Sequence, residues 1–322
     1  MKTKSYPAHP GFALVAGLLL AGTAGDGQAQ SIADDFNDGN DTGWSHYDTI
    51  GTHPAFPDQG TWAFPNGGYR MQTGASPAPS VVGPARIGSL RSQVYSDFYI
   101  AVDVVNWNDT IDQSFGPFAR LTDIGLGTTK GYVMTYQVGS KDIDITRVTG
   151  EAAERSVRQN GDGNITLDPG KSYRLVFIGK GALLIARVYD LSDLVNPLVE
   201  ISGTDTEAYP SGVNGLLVYD NSDTADSTAD ATFDNYFEAD IEPPVLRMTG
   251  QGFGDTMLSW PAEASQFVLQ AATVMTGNAA DWTDVTDNII PPSDVNPVFS
   301  YTFSTDPLLG GLRKQFFRLV RR

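Results

Sequence analysis

Residues 231–240 read ATFDNYFEAD, and apolar and polar side chains alternate along them. Side chains two apart on a strand share a face. The spacing therefore sets Thr232, Asp234 and Tyr236 on one side and Phe233, Asn235 and Phe237 on the other. The same period returns in residues 97–106 (DFYIAVDVVN), where Phe98, Ile100, Val102 and Val104 share a face. Long stripes at i, i+3 and i+4 are missing, and 34 glycines and 19 prolines punctuate the chain. Short β-rich runs bounded by turn residues predict an all-β body, a sandwich or barrel. The best helical candidate, residues 150–157 (GEAAERSV), reads equally well as a polar hairpin edge.

The N-terminus has the pattern of a secretory leader. Lys2 and Lys4 precede the short apolar run 12–21 (FALVAGLLLA), and Gly27-Gln28-Ala29 is a small-x-small cleavage site. Residues 1–29 are accordingly set aside as a signal peptide, which predicts a secreted or cell-envelope protein. The apolar run is too short to span a bilayer, and no later segment is long enough. The remaining chain divides into 30–240, a linker 241–244 (IEPP) and a second unit, 245–322. A net charge of −17 argues against nucleic acid and anionic membranes as partners. There is no cysteine, so thiolate metal sites and thiol catalysis are excluded. Beyond the leader only His46 and His53 remain. A bound metal would therefore take oxygen ligands, with calcium the first candidate.

In order, the chain reads DDFN with a following Trp44, then ARIGSL, DFYIAVDV, GPFARLTD and GYVMTYQV. DPGKSYRLVFIGKGALLIARVYD, SGVNGLLVYDNSD and ATFDNYFEA complete the first unit. This order of strands and turns resembles the concanavalin A-like (laminin-G-like) jelly-roll superfamily of exported bacterial proteins over residues 31–240. In such sandwiches the first and last strands lie side by side, which would bring residues 32–37 next to 231–240. The second unit carries short alternating runs, such as 256–260, 266–271, 298–303 and 315–320. It resembles the small fibronectin-III-like domains that end many exported bacterial proteins. Its last ten residues hold Arg313, Lys314, Arg318, Arg321 and Arg322. These read as a charge-protected edge strand, or as a contact with an acidic or cell-surface partner.

The resemblance implies a structural calcium at the junction of the first and last strands. Asp34, Asp35, Asn37, Asp38, Asp41 and Asp234 are its candidate ligands, against the alternative of a solvated Asx-rich turn. A second acidic run, 220–230, reads as a surface loop. Residues 160–168 (NGDGNITLD) fail as a calcium loop: aligning Gly163 with the required glycine puts Arg158 at the first ligand position and Pro169 at the twelfth. Residues 125–131 (GLGTTKG) fail as a phosphate loop, because Lys130 precedes a glycine and a strand follows. A jelly roll also presents one concave sheet on which polar and aromatic groups can hold a sugar. Asn106, Trp107, Asp109, Asp112, Arg120, Tyr132, Tyr136 and Arg147 are the candidates for glycan contact.

Catalysis finds no matching pattern. Retaining sugar hydrolysis needs two carboxylates about 5–5.5 Å apart, and laminarinase-like relatives carry them as Glu-x-Asp-x-x-Glu. None of Glu151, Glu154, Glu200, Glu207, Glu238, Glu242 and Glu263 sits in that pattern. Alginate-lyase-like relatives use Gln-x-His with a Tyr/Lys/Tyr strand. Lys130-Gly131-Tyr132 echoes the second, but no Gln-x-His exists. The expectation is an exported, non-catalytic, lectin-like protein with a structural calcium. The alternatives are a glycosidase or lyase on the same fold and a purely structural envelope or matrix protein.

Overall fold

The computed structural model describes residues 31–222, 228–240, 242–244, 246–252, 255–261, 267–273, 281–293, 298–304 and 316–321. The expected leader, Asp223 and Asp226 of the acidic run, Glu263, and the basic residues Arg313, Lys314 and Arg322 lie outside the described residues. The chain forms two compact units, parting between Pro243 and Pro244. No helix among the described residues is long and apolar enough to cross a membrane.

The first unit begins with β1 (Ser31–Asp34), β2 (Ser45–Tyr47), β3 (Gly60–Ala63), β4 (Tyr69–Thr73) and β5 (Arg86–Tyr95). It continues through β6 (Phe98–Trp107), β7 (Gln113–Thr122), β8 (Lys130–Gln137), β9 (Asp142–Thr149) and β10 (Ala152–Ser156). β11 (Tyr173–Lys180), β12 (Leu183–Asp190), β13 (Val199–Thr204), β14 (Gly212–Asp220) and β15 (Asp230–Ala239) complete it. One eight-stranded sheet runs β13-β12-β11-β6-β15-β4-β3, with β1 added beside β15. A seven-stranded sheet runs β10-β9-β8-β7-β14-β5-β2. Every strand pairing in this unit is antiparallel, and the architecture is a jelly-roll β-sandwich.

Within the segment 150–157, which could have been helix or hairpin edge, Ala152–Ser156 form the exposed edge strand β10, while Val157 is buried in the core. The inward faces of the two sheets share one core, including Ile100, Val102, Val104, Tyr132, Met134, Tyr136, Leu175, Phe177, Leu216 and Phe233. Burial of such side chains at ~25 cal/mol per Å² is the main stabilising term.

Residues 31–34 pair with 236–239, from Ser31 opposite Ala239 to Asp34 opposite Tyr236, so the two ends of the unit are neighbours. The alternation along 231–240 is broken, however. β15 carries an extra residue between Asp234 and Phe237 relative to β6, and Asn235 has φ +50°. This bulge turns Tyr236 to the same side as Phe233, and both are buried in the core. Phe237 joins Tyr99, Val176, Ile178 and Ile185 in a separate apolar cluster. An extra residue reverses the inside-outside sense of everything after it, which strict period two cannot anticipate.

Asn235 is suited to the left-handed conformation, and its side chain also donates to Asp103 Oδ2 at 3.0 Å. Asn235→Val is expected to lower stability by about 1–2 kcal/mol, more than Asn235→Gly, as read from chemical unfolding. A valine variant as stable as the glycine one would remove the conformational explanation.

The second unit has a sheet of β16 (Arg247–Gly252), β17 (Asp255–Pro261), β21 (Val298–Ser304) and β20 (Ile289–Ile290). A three-stranded sheet holds β19 (Thr283–Asp284), β18 (Phe267–Ala272) and β22 (Phe316–Arg321). Leu258, Trp260, Leu269 and Leu319 form its core. Arg318 on β22 lies 4.2 Å from the ring centre of Trp282, and its Nε donates to Gln270 at 2.9 Å. This member of the C-terminal basic group is thus engaged within its own unit.

Candidate functional site

β8 has two faces with different chemistry. Tyr132, Met134 and Tyr136 are fully buried in the sandwich core. Val133, Thr135 and Gln137 fall on the opposite face, because alternate residues of a strand point oppositely. The neighbouring strands repeat the pattern: Phe118 and Ser114 from β7, Thr146 and Val148 from β9, and Leu217 and Tyr219 from β14 also line this outer face. Together they form a cleft with an apolar floor of Phe118, Val133 and Leu217. Ser114, Thr135, Thr146, Gln137 and Asn221 supply hydroxyls and amides around the floor. The cleft encloses about 140 Å³. That is far above the ~10–15 Å³ needed for one water, and below the ~300–1,000 Å³ of pockets that engulf a drug-sized ligand.

One charge pair lines the cleft. Arg86 Nη2 donates to Glu151 Oε2 at 2.8 Å and Arg86 Nε to Oε1 at 3.1 Å, and both side chains are buried. Arg86 begins β5, whereas Glu151 sits in the turn between β9 and β10. In the seven-stranded sheet those elements lie on opposite sides of β8, β7 and β14. The pair is therefore a clasp between the two flanks of one curled sheet, whose central strands provide the floor.

Glu151 is further held by the Tyr47 hydroxyl at 2.7 Å, by Thr49 Oγ1 and by the Gly127 amide at 2.8 Å. Arg86 Nη1 donates to the carbonyls of Val82 and Pro84 at 2.9 and 2.8 Å. Burial pushes the Glu151 carboxyl upward, but Arg86 and the other donors outweigh it and hold it below its ordinary value. Burial and the adjacent Glu151 push the Tyr47 hydroxyl well above the usual tyrosine range.

No catalytic pair is assembled here. Glu151 is the one carboxylate among the described lining residues, and both its oxygens are saturated. Asp144, just beyond the lining, accepts from Ser156 Oγ at 2.7 Å and Thr146 Oγ1 at 3.2 Å. The loop rejected as a phosphate site supplies Gly127 to the clasp.

The residues expected on a sugar platform are placed differently. Trp107 packs among Phe115, Tyr136 and Tyr173 in the core. Tyr132 is buried and donates to Asp205 Oδ2 at 2.6 Å, and Tyr136 is buried with its hydroxyl accepting the Leu167 amide at 3.3 Å. Arg120, 1 % exposed, donates to the carbonyls of Ser96, Gly181 and Tyr209 at 2.6, 2.7 and 3.1 Å. Arg147 is buried against the Tyr209 ring and bonds Asp205 at 2.6 Å and Glu154 at 2.9 Å.

For these five the expectation of ligand contact is corrected. The three aromatic side chains fill the interior, and the two arginines are buried against carbonyls and Asp205. Asn106, Asp109 and Asp112 are exposed. Asp112 alone touches the cleft margin, its carbonyl accepting the amide of Asn221 at 3.0 Å.

The expected calcium ligands have partners of their own. Asp34 accepts the Trp44 indole N–H at 2.8 Å and the Phe36 amide at 3.0 Å, with Arg91 at 3.6 Å. Asp41 takes His46 Nε2 at 2.6 Å and the Tyr69 hydroxyl at 3.1 Å. Asp35 and Asp38 cap their own turns through the amides of Asn37 and Asn40, each at 3.2 Å. Burial raises Asp234, partly offset by the Asn235 amide and reinforced by Asp103 and Asp35 nearby. Among the described residues no three His, Asp or Glu side chains converge on a metal position. Asp34 and Asp41 are thus taken up by partners of their own, while Asp35 and Asp103 lie close enough to Asp234 to raise it.

The sequence reasoning missed Tyr47, Arg86, Thr135, Gln137, Thr146 and Glu151. The signal for three of them was present in YVMTYQV and IDITRV, as the smaller, more polar alternate positions. The clasp had no local signal, since its partners are 65 residues apart.

No protein-family profile and no curated protein matches the sequence. Solved structures similar to this chain include a carbohydrate binding module, CBM66, from Bacillus subtilis. It shares 19 % identity at a TM-score of 0.44, covering 62 % of this chain and 96 % of that one. A prokaryotic beta-1,3-1,4-glucanase derived from a mouse hindgut metagenome shares 12 % at 0.46, covering 65 % and 98 %. Basic winged bean lectin with Tn-antigen shares 11 % at 0.43, covering 66 % and 98 %.

Proposed function

We propose that the first unit is a non-catalytic carbohydrate-binding domain of an exported protein, and that the cleft over β7, β8 and β14 is its binding site. The observation carrying this is the lining: an apolar floor of Phe118, Val133 and Leu217 ringed by hydroxyl and amide groups. A pyranose has one C–H-rich face and hydroxyls around its edge, so its two kinds of surface match the two kinds here. The saturation of Glu151 supports a binding role over hydrolysis. Export rests on the leader pattern of residues 1–29, and the second unit is proposed as a fibronectin-III-like spacer or surface contact.

Thr146 lies half-buried at the cleft, so Thr146→Trp fills the space without disturbing the core. On a glycan array, read with and without chelator, the native protein is expected to bind at least one polysaccharide class. Thr146→Trp is expected to weaken that binding about tenfold or more. Binding to no class, or binding indifferent to Thr146→Trp, rejects the assignment. Turnover of any polysaccharide would favour the enzyme reading instead.

A further inference from the structure

We infer that the cleft selects an uncharged saccharide and rejects uronate, sulfated and amino-sugar polymers. This rests on the carbohydrate reading above and narrows it to a ligand class. Arg86 is the one cation among the described lining residues. Its Nε and Nη2 face Glu151, and its Nη1 serves the carbonyls of Val82 and Pro84. Four of its five N–H donors are thereby taken, which leaves no bidentate face for a ligand carboxylate or sulfate. The clasp thus cancels the cleft's own charges and takes up most of their hydrogen-bonding capacity.

The margin repeats the arrangement. Asp142 lies opposite Gln137 and Asp144 opposite Thr135 in the β8–β9 ladder. Arg158, the cation beside them, is tied to Asp142 at 2.8 Å and to the Ile143 carbonyl at 3.1 Å. An anionic sugar would be stripped of water next to carboxylates whose neighbouring cation, Arg158, is already paired, which disfavours its entry. A cationic amino sugar would find both Glu151 oxygens already accepting bonds. What remains available is neutral: hydroxyls, amides and apolar surface, which suit a sugar carrying only hydroxyl groups.

The test uses the full chain and five probes: a neutral β-glucan, a neutral mannan, alginate, a carrageenan and chitosan. Binding is measured by affinity electrophoresis and calorimetry at low and high salt, with Thr146→Trp alongside. The expected result is binding to a neutral polymer, unchanged within about twofold by salt because no ion pair is made, and lost in Thr146→Trp. Salt-sensitive binding to alginate, carrageenan or chitosan that Thr146→Trp abolishes overturns this inference while leaving the carbohydrate reading intact. Binding to none of the five, with the same result on the full array, overturns both.

Discussion

Replacing Glu151 by alanine is expected to lower the unfolding free energy of the first unit by about 3–5 kcal/mol. The side chain is 4 % exposed and its partner Arg86 7 %. Removing one member leaves a guanidinium sealed from water with only two carbonyls to satisfy it. It also releases the Tyr47 hydroxyl, Thr49 and the Gly127 amide, so three segments distant in sequence lose a common anchor.

Replacing both partners tells a different story. Arg86→Met with Glu151→Leu removes the orphaned charge and fills the volume with apolar groups, so the double variant is expected to lose less than either single one, the unpaired Tyr47, Thr49 and Gly127 donors keeping it below the native protein. Chemical denaturation of the two single variants and the double is the decisive measurement. A loss under about 1 kcal/mol in the single variants would mean that the clasp is a weak surface pair.

The folded-state value of Glu151 is depressed. Its contribution is therefore present above the ordinary glutamate range and lost as pH falls through the folded value. Limited proteolysis within residues 125–131 is expected to accelerate on acidification and in Glu151→Ala.

Replacing Glu238 by glutamine is expected to stabilise the first unit by about 3 kcal/mol at about pH 8 and to change little at about pH 4. Glu238 on β15 is fully buried, and burial raises its carboxyl to about 7. The Asn214 amide at 3.1 Å, the Tyr236 hydroxyl at 3.0 Å and Arg91 offset that only in part. Its other oxygen, Oε1, is buried without a hydrogen-bond partner, as are Nε and Nη1 of Arg91. Tyr95 of β5 faces the same carboxyl, and Asp34 of β1 faces Arg91.

The direction follows from proton linkage. The native state keeps the proton up to about pH 7, whereas the unfolded chain releases it near 4.5. Unfolding therefore releases a proton between those values, and stability falls as pH rises through the folded value. A glutamine cannot ionise, so the variant escapes that decline. Thermal unfolding of both proteins across the range checks it, and a difference independent of pH would show that Glu238 is not the titrating group.

Glu238 and Glu151 owe their roles to the fold rather than to their neighbours in the chain. Glu238 and Glu151 were weighed only as members of a catalytic pattern, which neither fits. Nothing in their sequence neighbourhoods separates a glutamate sealed between sheets from one clamped by an arginine. Each was decided by a partner far along the chain: Asn214 and Arg91 for the first, Arg86 and Tyr47 for the second. The Asx turns of Asp35 and Asp38, by contrast, were readable, because an Asx side chain bonds its own backbone two residues on.

The period-two pattern and its Gly/Pro punctuation sufficed for the all-β class, and the order of strands sufficed for the jelly roll and the pairing of residues 31–34 with 236–239. Both are near-neighbour properties: alternation is local, and strand order limits the ways antiparallel sheets can close. The inward face, the bulge at Asn235 and the clasp were decided only by tertiary structure. They depend on which side of a two-faced strand meets the opposing sheet, and on charges brought within 3 Å by the curl of seven strands. Burial and long-range electrostatics act on that arrangement, and no window of the sequence contains it.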